Sequence, residues 1–408
     1  MKNKFWTGLL VGMLGTLLVG TVAFSTYFIK SGAIYNQQSE EIQTDEKLTE
    51  SVEVKKKIDT IQGLIDQYYI DKVKEDTLAD GLYQGLMYSL GDPYAAYYTK
   101  EDFASLIEAT NGVYCGIGAT VSQDAKTGII TIVKPFVGAP AYKAGILPGD
   151  VIYKVDGNEV TGVDLTEVVS KMKGKEGTDV VITIVREGEL DPMDFTVKRK
   201  QVEVPTIESE MLSGKIGYIS VSEFDEITSA QFINAVDTLE KQGEKGLIID
   251  LRNNGGGLYD TAVAMLERML PKGLLVYQED KNGNKQEDYA KKEDEFNKPL
   301  VILVNENTAS ASEIFAGAIQ DYEKGTIVGT KTFGKGIVQS VIPLYDDSAV
   351  KLTVAKYFTP KGRNIHGIGI EPDVSVELDE KLRQKPLIKK EEDNQLQKAI
   401  QVIKQMDK

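Results

Sequence analysis

The stretch that most constrains the fold runs from Val301 to Gln339. It begins with an apolar run, passes through a short polar turn into a helical pattern that starts near Ser310, and reaches a second β-like run, Thr326–Thr330. A connection between parallel strands needs about a dozen residues or more, and this segment provides them. The sequence therefore predicts a strand, a helix and a parallel strand, which would bring Ser310 and Lys335 to the same end of a sheet.

Ser310 and Lys335 are a candidate nucleophile and general base. A lysine with an ordinary pKa of about 10.4 is almost fully protonated at neutral pH, but burial lowers that pKa by as much as about 3–5 units. Gln339, four residues after Lys335, offers an amide oxygen that would orient the amine without adding a negative charge. The first N–H groups of the helix would supply an oxyanion hole.

The same residues have a purely structural interpretation. Ser310 and Glu313 fit a capping box, in which the serine caps the helix and the glutamate reaches back to it. Lys335 would then be an ordinary hairpin lysine. The spacing of the residues alone leaves both interpretations open.

Two segments resemble the signature of the carboxy-terminal processing peptidases, also called tail-specific proteases. They are TASASEIFAGAIQD, which starts at Thr308, and VGTKTFGKGIVQS, which starts at Val328. These enzymes are serine proteases with a Ser/Lys dyad. The resemblance implies that Ser310 is the nucleophile, Lys335 the general base and Gln339 the residue that orients the lysine.

The glycine-rich turn in GLIIDLRNNGGG, Gly246–Gly257, follows a buried apolar run. No phosphate-binding lysine or dinucleotide pattern follows it. The family resemblance implies instead that this turn lies beside the serine and that one of its glycines donates the second oxyanion N–H. We assign Gly256 to this role together with Ala311, and we expect Asp250 and Arg252 to hold the turn.

Asn111–Lys200 resembles a bacterial PDZ domain, on the strength of GIGATV, Gly116–Val121, and AGILPGDVIYKVDG, Ala144–Gly157. A glycine turn exposes N–H groups that cradle a terminal carboxylate, and the strand after it pairs with an extended peptide. The alternative is that the glycines serve tight turns only. Lys173 stands where family members often carry arginine, and it lacks the bidentate fork of arginine. The predicted peptide-binding residues are Gly116, Ile117, Gly118 and Ala119.

Composition excludes several classes of function. The net charge of −15 and the pI of about 4.8 argue against a nucleic-acid partner. The single cysteine, Cys115, forbids an internal disulfide, and the single histidine, His366, leaves too few ligands for a typical zinc site. A cysteine protease built from Cys115 and His366 is strongly disfavoured. We expect no metal and no organic cofactor.

Phe5–Ile29 contains no charged residue and follows Lys2 and Lys4. A helix of this length spans roughly 37 Å, which exceeds the hydrocarbon core of about 30 Å. We therefore expect a single-pass anchor in the cell membrane, with the lysines in the cytoplasm and the catalytic domain extracytoplasmic. A cleaved signal peptide is the competing interpretation.

The predicted fold is a multidomain α+β and α/β chain that combines an N-terminal transmembrane helix, a helical cap, a PDZ domain and a crotonase-like α/β protease domain. Its predicted function is a membrane-anchored serine endopeptidase that recognises the C-terminal tails of protein substrates. A PDZ scaffold that binds tails without cutting them is the alternative, and a homodimer formed through the helical cap is a further expectation. The predicted boundaries are 1–4 cytoplasmic, 5–29 anchor, 30–50 tether, 51–110 helical cap, 111–200 PDZ domain, 201–375 protease domain and 376–408 C-terminal helical segment.

Overall fold

The computed structural model describes residues 51–291, 295–383, 385 and 388–406. They belong to two compact units, one that ends at Leu78 and one that begins at Ala79. The predicted membrane anchor and tether lie outside the described residues. Within the described ranges, no helix combines the length and the apolar character that crossing a bilayer requires.

The helices expected from apolar spacing near the start of the described chain are present. Helix α1 spans Val52–Tyr68 and begins at the N-cap Ser51, whose hydroxyl accepts the Val54 N–H. Helix α2 spans Glu75–Tyr88. No residue of α1 is buried within the structure.

A small β-rich region follows, and a helix leads into it. Its bounds are β1 Ala96–Tyr98, α3 Lys100–Asn111, β2 Val113–Gly116, β3 Ala119–Gln123, β4 Ile130–Pro135, α4 Pro140–Ala144, β5 Val151–Val155, β6 Asn158–Glu159, α5 Leu165–Met172, β7 Asp179–Val185, β8 Met193–Lys198 and β9 Lys200–Glu203.

One sheet dominates this region, in the order β3-β4-β5-β7-β8, with β6 paired to β5. Its core comes from inward-facing residues such as Ile130 and Ile132 of β4, together with Val168 of α5. Strand β3 forms the edge of the sheet, so one side of β3 carries no strand partner in the described chain. An edge of this kind is suited to pairing with an extended peptide.

The remaining chain builds a second α/β region. Its bounds are β10 Ile207–Leu212, β11 Ile216–Val221, α6 Thr228–Lys241, β12 Gly246–Asp250, α7 Tyr259–Met269, β13 Gly273–Asp280, β14 Lys285–Ala290, β15 Leu300–Val304, α8 Ala311–Asp321, β16 Thr326–Gly329, β17 Ile337–Pro343, β18 Ala349–Phe358, β19 Val374–Ser375 and α9 Asn394–Met406.

The central sheet has the order β10-β11-β12-β15-β16-β19, and all its pairs except β10-β11 are parallel. Every residue of β12 and β15 is buried, as is typical of parallel strands covered on both faces. Helices α6, α7 and α8 cover one face through residues such as Phe232, Met265 and Phe315. Helix α9 covers the other face with Leu396 and Ile403. The predicted unit of strand, helix and parallel strand is confirmed as β15, α8 and β16.

A second sheet runs in the order β1-β18-β13-β14, and β17 also pairs with β18. We expected Lys281–Lys298 to be a solvated loop because it is rich in charge. That expectation is wrong for Lys285–Ala290, which forms β14 and pairs antiparallel with β13. Lys285 and Glu287 of β14 are exposed to solvent, whereas Ala290 at its end is buried in the core.

Candidate active site

Ser310 lies at the N-cap of α8, directly after the loop that follows β15. Its backbone has a φ of 56° and a ψ of −119°, a conformation that costs a non-glycine residue about 1–3 kcal/mol. The Tyr357 hydroxyl donates to the Ser310 carbonyl at 3.1 Å, which helps to hold this strained peptide. Burial raises the pKa of Tyr357 and keeps the phenol a proton donor. In other hydrolases, a serine on a strained turn between a strand and a helix has an exposed hydroxyl that acts as the nucleophile.

Glu313, on the first turn of α8, connects the serine to the lysine loop. Its Oε2 atom accepts the Ser310 N–H at 2.9 Å and the Lys335 N–H at 2.8 Å. Its Oε1 atom accepts the Gly334 N–H at 2.7 Å and the Thr332 hydroxyl. The two backbone nitrogens of Ser310 and Lys335 therefore lie within two hydrogen-bond lengths of each other. Four donors satisfy this fully buried carboxylate, which would otherwise be costly to bury.

The capping box predicted for Ser310 and Glu313 is present. From the sequence, the capping box was an alternative to a catalytic arrangement. In the structure the two are compatible, because the Glu313 carboxylate caps α8 and also binds the loop that carries Lys335. The contacts of Glu313 with the lysine loop were not predicted, because their partners, two backbone N–H groups and the Thr332 hydroxyl, lie about twenty residues away. Tyr357 was also missed, since it gives no local signal within strand β18.

Lys335 lies in the loop between β16 and β17, and its side chain is half-buried. Burial, and next the nearby ammonium of Lys351, lower the pKa of Lys335, while Asp92 and Glu313 oppose that change. The Lys335 Nζ lies 4.6 Å from the centroid of the Tyr94 ring. Burial and a neighbouring positive charge are the two influences that make a lysine a better base near neutral pH.

Gln339 does not contact Lys335 by a hydrogen bond within the described chain. Its Nε2 instead donates to Thr353 Oγ1 at 3.4 Å, across from it on β18. A register shift between Val338 and Gln339 accompanies this placement. The role of Gln339 in orienting the lysine stays a prediction.

The glycine turn after β12 lies against the serine, as predicted. A Cβ placed on Gly256 would stand 2.8 Å from Ser310 Cβ and 2.9 Å from the nitrogen of Ala311. The Gly256 N–H, however, donates to Asn254 Oδ1 at 2.8 Å and is engaged inside the turn. The Ala311 and Gly257 N–H groups have no hydrogen-bond acceptor among the described residues. The Ala311 N–H is therefore available to an oxyanion, whereas the Gly256 N–H is already bonded, and the assignment of the second donor stays a prediction.

Arg252 holds the turn, as expected, and also connects it to the last helix. Its guanidinium contacts Asp250 at 2.6 Å and Asp393 at 2.8 Å, and its Nη1 donates to Gln395 at 3.0 Å. All three charged side chains are largely buried. No sequence pattern predicted the contact of Arg252 with Asp393, which lies 141 residues away along the chain.

The predicted peptide-binding residues lie at one end of a groove of about 380 Å³ between β3 and α5. Ile117 and Ala119 line it, whereas Gly116 ends β2 and Gly118 lies in the turn before β3. Gly118 has a φ of +76°, so glycine suits this position. The lining also includes Ser105, Glu108, Ala109, Tyr114, Val121, Phe136, Thr166, Val169, Met172, Lys173 and Val204.

Lys173 lies at this groove and does not extend toward Ser310. Its Nζ pairs with Glu108 of α3 at 2.7 Å and lies 5.1 Å from the centroid of the Tyr114 ring. Burial raises the pKa of Tyr114, although the backbone N–H groups of Gly118 and Ala119 oppose this rise. A positive charge and these N–H groups therefore lie at the same end of the groove.

Three family models match this chain, in order along it. Residues 4–102 match the Activating protease CtpB N-terminal domain, residues 133–186 match the PDZ domain, and residues 215–376 match Peptidase family S41. The last match contains Ser310, Lys335 and Gln339, and the second lies within the predicted PDZ segment.

The chain is also similar to individual proteins. The chain is 43% identical over 311 residues to the carboxy-terminal processing protease CtpA of Bacillus subtilis (strain 168), an alignment that covers 76% of this chain and 66% of that protein. Among solved structures, the photosystem II D1 C-terminal processing protease is 31% identical, with a TM-score of 0.46 and coverage of 78% of this chain and 86% of the other. A Bacteroides fragilis protein assigned to the S41 proteases is 19% identical, with a TM-score of 0.52 and coverage of 83% and 91%.

Proposed function

The chain belongs to peptidase family S41, and from this premise we propose that it is a serine endopeptidase whose nucleophile is Ser310 and whose general base is Lys335. One observation carries the proposal: a single oxygen of Glu313 accepts the backbone N–H groups of both residues. A carboxylate that binds both peptide N–H groups fixes the backbone of Ser310 relative to the backbone of Lys335. Accurate positioning of the reacting groups is a large part of catalysis. The lowered pKa of Lys335 supports its role as the base.

In the proposed reaction the neutral amine of Lys335 takes the proton of the Ser310 hydroxyl as Oγ attacks the scissile carbonyl. The developing oxyanion is stabilised by the Ala311 N–H and by one N–H of the glycine turn. Lys335 then gives the proton to the leaving amine, and an acyl-enzyme remains on Ser310. Water releases the acyl group and restores the dyad.

The substrates in this proposal are proteins with an accessible C-terminal tail. The groove between β3 and α5 supports it, since an edge strand, an apolar lining and N–H groups beside Lys173 suit an extended peptide that ends in a carboxylate. The tail would bind at the groove, and a more N-terminal part of the same polypeptide would reach Ser310.

The proposal extends to the cellular location and the assembly. The uncharged run Phe5–Ile29 supports a single membrane span with an extracytoplasmic catalytic domain. Exposed apolar side chains of α1, among them Ile61 and Leu64, support pairing of two copies through the helical cap. Membrane fractionation with external protease digestion tests the first point, and analytical ultracentrifugation in detergent tests the second.

The dyad is tested by cleavage of an unstructured protein with an apolar C-terminus. We expect Ser310→Ala and Lys335→Ala each to reduce kcat/KM by at least about a thousandfold, because residues that act as one unit lose most of their effect when either is removed. Lys331→Ala serves as the matched control, since this lysine belongs to the same loop but is half-exposed and pairs with Glu371.

Cleavage rate and folding are measured for all three variants. The control should cleave at the rate of the unmodified protein, and circular dichroism should show that all three variants are folded. Substantial cleavage by both folded dyad variants would refute the assignment of the dyad.

A further inference from the structure

The loop before β1 reaches the side chain of Lys335. Tyr94 in this loop places its ring face 4.6 Å from the Lys335 Nζ. Among the described residues, Nζ forms no hydrogen bond to Ser310 or Gln339, and it lies over the aromatic face of Tyr94 instead. Aromatic faces attract ammonium groups at this distance through the negative charge of the π system.

The position of Tyr94 is fixed by the sheet that carries the lysine loop. Strand β1 follows the loop at once and pairs antiparallel with β18, from Ala96 opposite Lys351 to Tyr98 opposite Ala349. Strand β18 also pairs with β17, which begins two residues after Lys335. The ring and the amine therefore lie beside β1 and β17, two strands that both pair with β18 in one sheet.

Thr353 lies between Gln339 and the loop that carries Tyr94. The Gln339 amide donates to Thr353 Oγ1, and the Thr353 hydroxyl lies close enough to Asp92 to influence the pKa of its carboxyl. Asp92 Oδ1 in turn accepts the Tyr94 N–H at 2.9 Å. The Thr353 hydroxyl, more than any other group, holds the pKa of Asp92 below its usual range, so this carboxylate is ionised at neutral pH.

The charged groups that face the amine come from several elements. Lys351 of β18 repels an ammonium at Lys335, whereas Asp92 of the loop and Glu313 of α8 attract it. His366, from the turn after β18, lies near Asp92. The Tyr94 ring adds attraction for the ammonium without a further full negative charge, which would favour the protonated lysine more strongly.

We propose that Tyr94, held by Asp92, is a positioning residue that binds the ammonium formed when Lys335 takes the Ser310 proton. The inference rests on the proposed dyad. In this step the Oγ–H bond of the serine breaks and an N–H bond forms on Nζ. The ring and Asp92 stabilise the positive charge of the Lys335 ammonium until the proton passes to the leaving amine.

The inference predicts a shift in the pH dependence of kcat/KM. Because the base acts when it is neutral, activity rises as the pH passes upward through the pKa of Lys335. Tyr94→Leu removes an attraction for the ammonium, lowers that pKa and moves the acidic limb of the profile to lower pH, by about half to one pH unit. Tyr94→Phe retains the aromatic face and should retain the position of the limb.

The experiment measures these profiles on the full chain with one unstructured protein substrate. An acidic limb that stays in place in folded Tyr94→Leu would overturn the inference, as would an equal shift in both Tyr94 variants. Should Tyr94→Leu fail to fold, Asp92→Asn provides the second variant. Loss of its negative charge should move the limb in the same direction, and an unmoved limb in Asp92→Asn would count against the inference.

Lys335→Ala is measured in the same assay to separate the two hypotheses. If Lys335→Ala retains activity, the proposed dyad fails, whatever the Tyr94 variants do. If Lys335→Ala is inactive and the acidic limb is unmoved in Tyr94→Leu, the dyad stands and the role of Tyr94 is refuted.

Discussion

At the scale of single residues, the site depends on groups that hold the peptide of Ser310 from both sides. Glu313 accepts its N–H and the Tyr357 hydroxyl binds its carbonyl. These contacts offset the strain of a positive φ at a residue with a side chain. The backbone that presents the nucleophile is therefore fixed before any substrate arrives.

Gly256 gives a prediction at this scale. In Gly256→Ala the new Cβ would lie within 3 Å of Ser310 Cβ, the Ala311 nitrogen and the Ala309 oxygen, at a φ of +101° that side chains rarely adopt. Either the turn or the serine must shift. We expect kcat to fall by at least about a hundredfold, comparable to the loss of an oxyanion donor, when hydrolysis of a fixed substrate is measured.

Gly255→Ala is the matched control for this variant. A Cβ on Gly255 meets no atom within 4 Å, so its activity and stability should stay near those of the unmodified protein. Equal activity in the two alanine variants would contradict the close approach of Gly256 to the serine.

The pattern of apolar residues from Val301 to Thr330 predicted that Ser310 and Lys335 lie close together. Two parallel strands joined by a helix have their carboxyl ends at the same edge of the sheet. The same pattern could not predict the three donors of Glu313 that come from the lysine loop, the Thr332 hydroxyl and the Gly334 and Lys335 N–H groups. Nor does glycine content reveal that Asn254 occupies the N–H of Gly256, the predicted oxyanion donor.

At the scale of elements, apolar periodicity predicted the helices well. Asn394–Met406 was expected as a helix with one apolar face, and it packs that face on the central sheet. The hairpin of β13 and β14 was missed because its second strand is charged and lies on the surface. Cross-strand pairing determines such a strand, and pairing partners are not visible in a single segment.

Helix α9 is joined to the glycine turn by the ion pair of Arg252 and Asp393. We expect Asp393→Asn to lower the free energy of unfolding by about 2 kcal/mol, since a largely buried charged contact is lost. Asparagine retains the ability to cap the helix through the Leu396 N–H, so the change isolates the charge. Urea denaturation followed by circular dichroism measures the effect.

Glu392→Gln is the neighbouring control. Glu392 pairs with Lys385 on the surface, where an ion pair contributes little. Its unfolding free energy should change by less than about 0.5 kcal/mol. A loss in Asp393→Asn no larger than that of the control would show that α9 docks through its apolar face alone.

At the scale of the whole molecule, the groove between β3 and α5 receives residues from outside the β3-β4-β5-β7-β8 sheet. Ser105, Glu108 and Ala109 come from α3, and Val204 comes from the segment that leads to β10. A peptide bound in the groove would therefore contact α3 and the segment that leads to β10, as well as the sheet itself.

Filling the groove should remove the dependence of cleavage on a free tail. Val169→Trp places a large side chain in the groove, so we expect kcat/KM for a substrate with a free C-terminus to fall at least about tenfold, toward the value for its amidated form. Ser170→Trp, on the exposed side of the same helix, should retain the preference. A preserved preference in folded Val169→Trp would contradict tail binding at this groove.

The pairing of β1 with β18 also has a mechanical consequence. Only three register pairs hold β1 in place, and the residues just before it carry the ring that lies over the Lys335 amine. Tension on the chain that precedes Asp92 would act on the pairing of β1 with β18. It would also act on the contact between Tyr94 and Lys335 before it acted on Ser310. The surroundings of the base are thus the part of the site that would respond first to force.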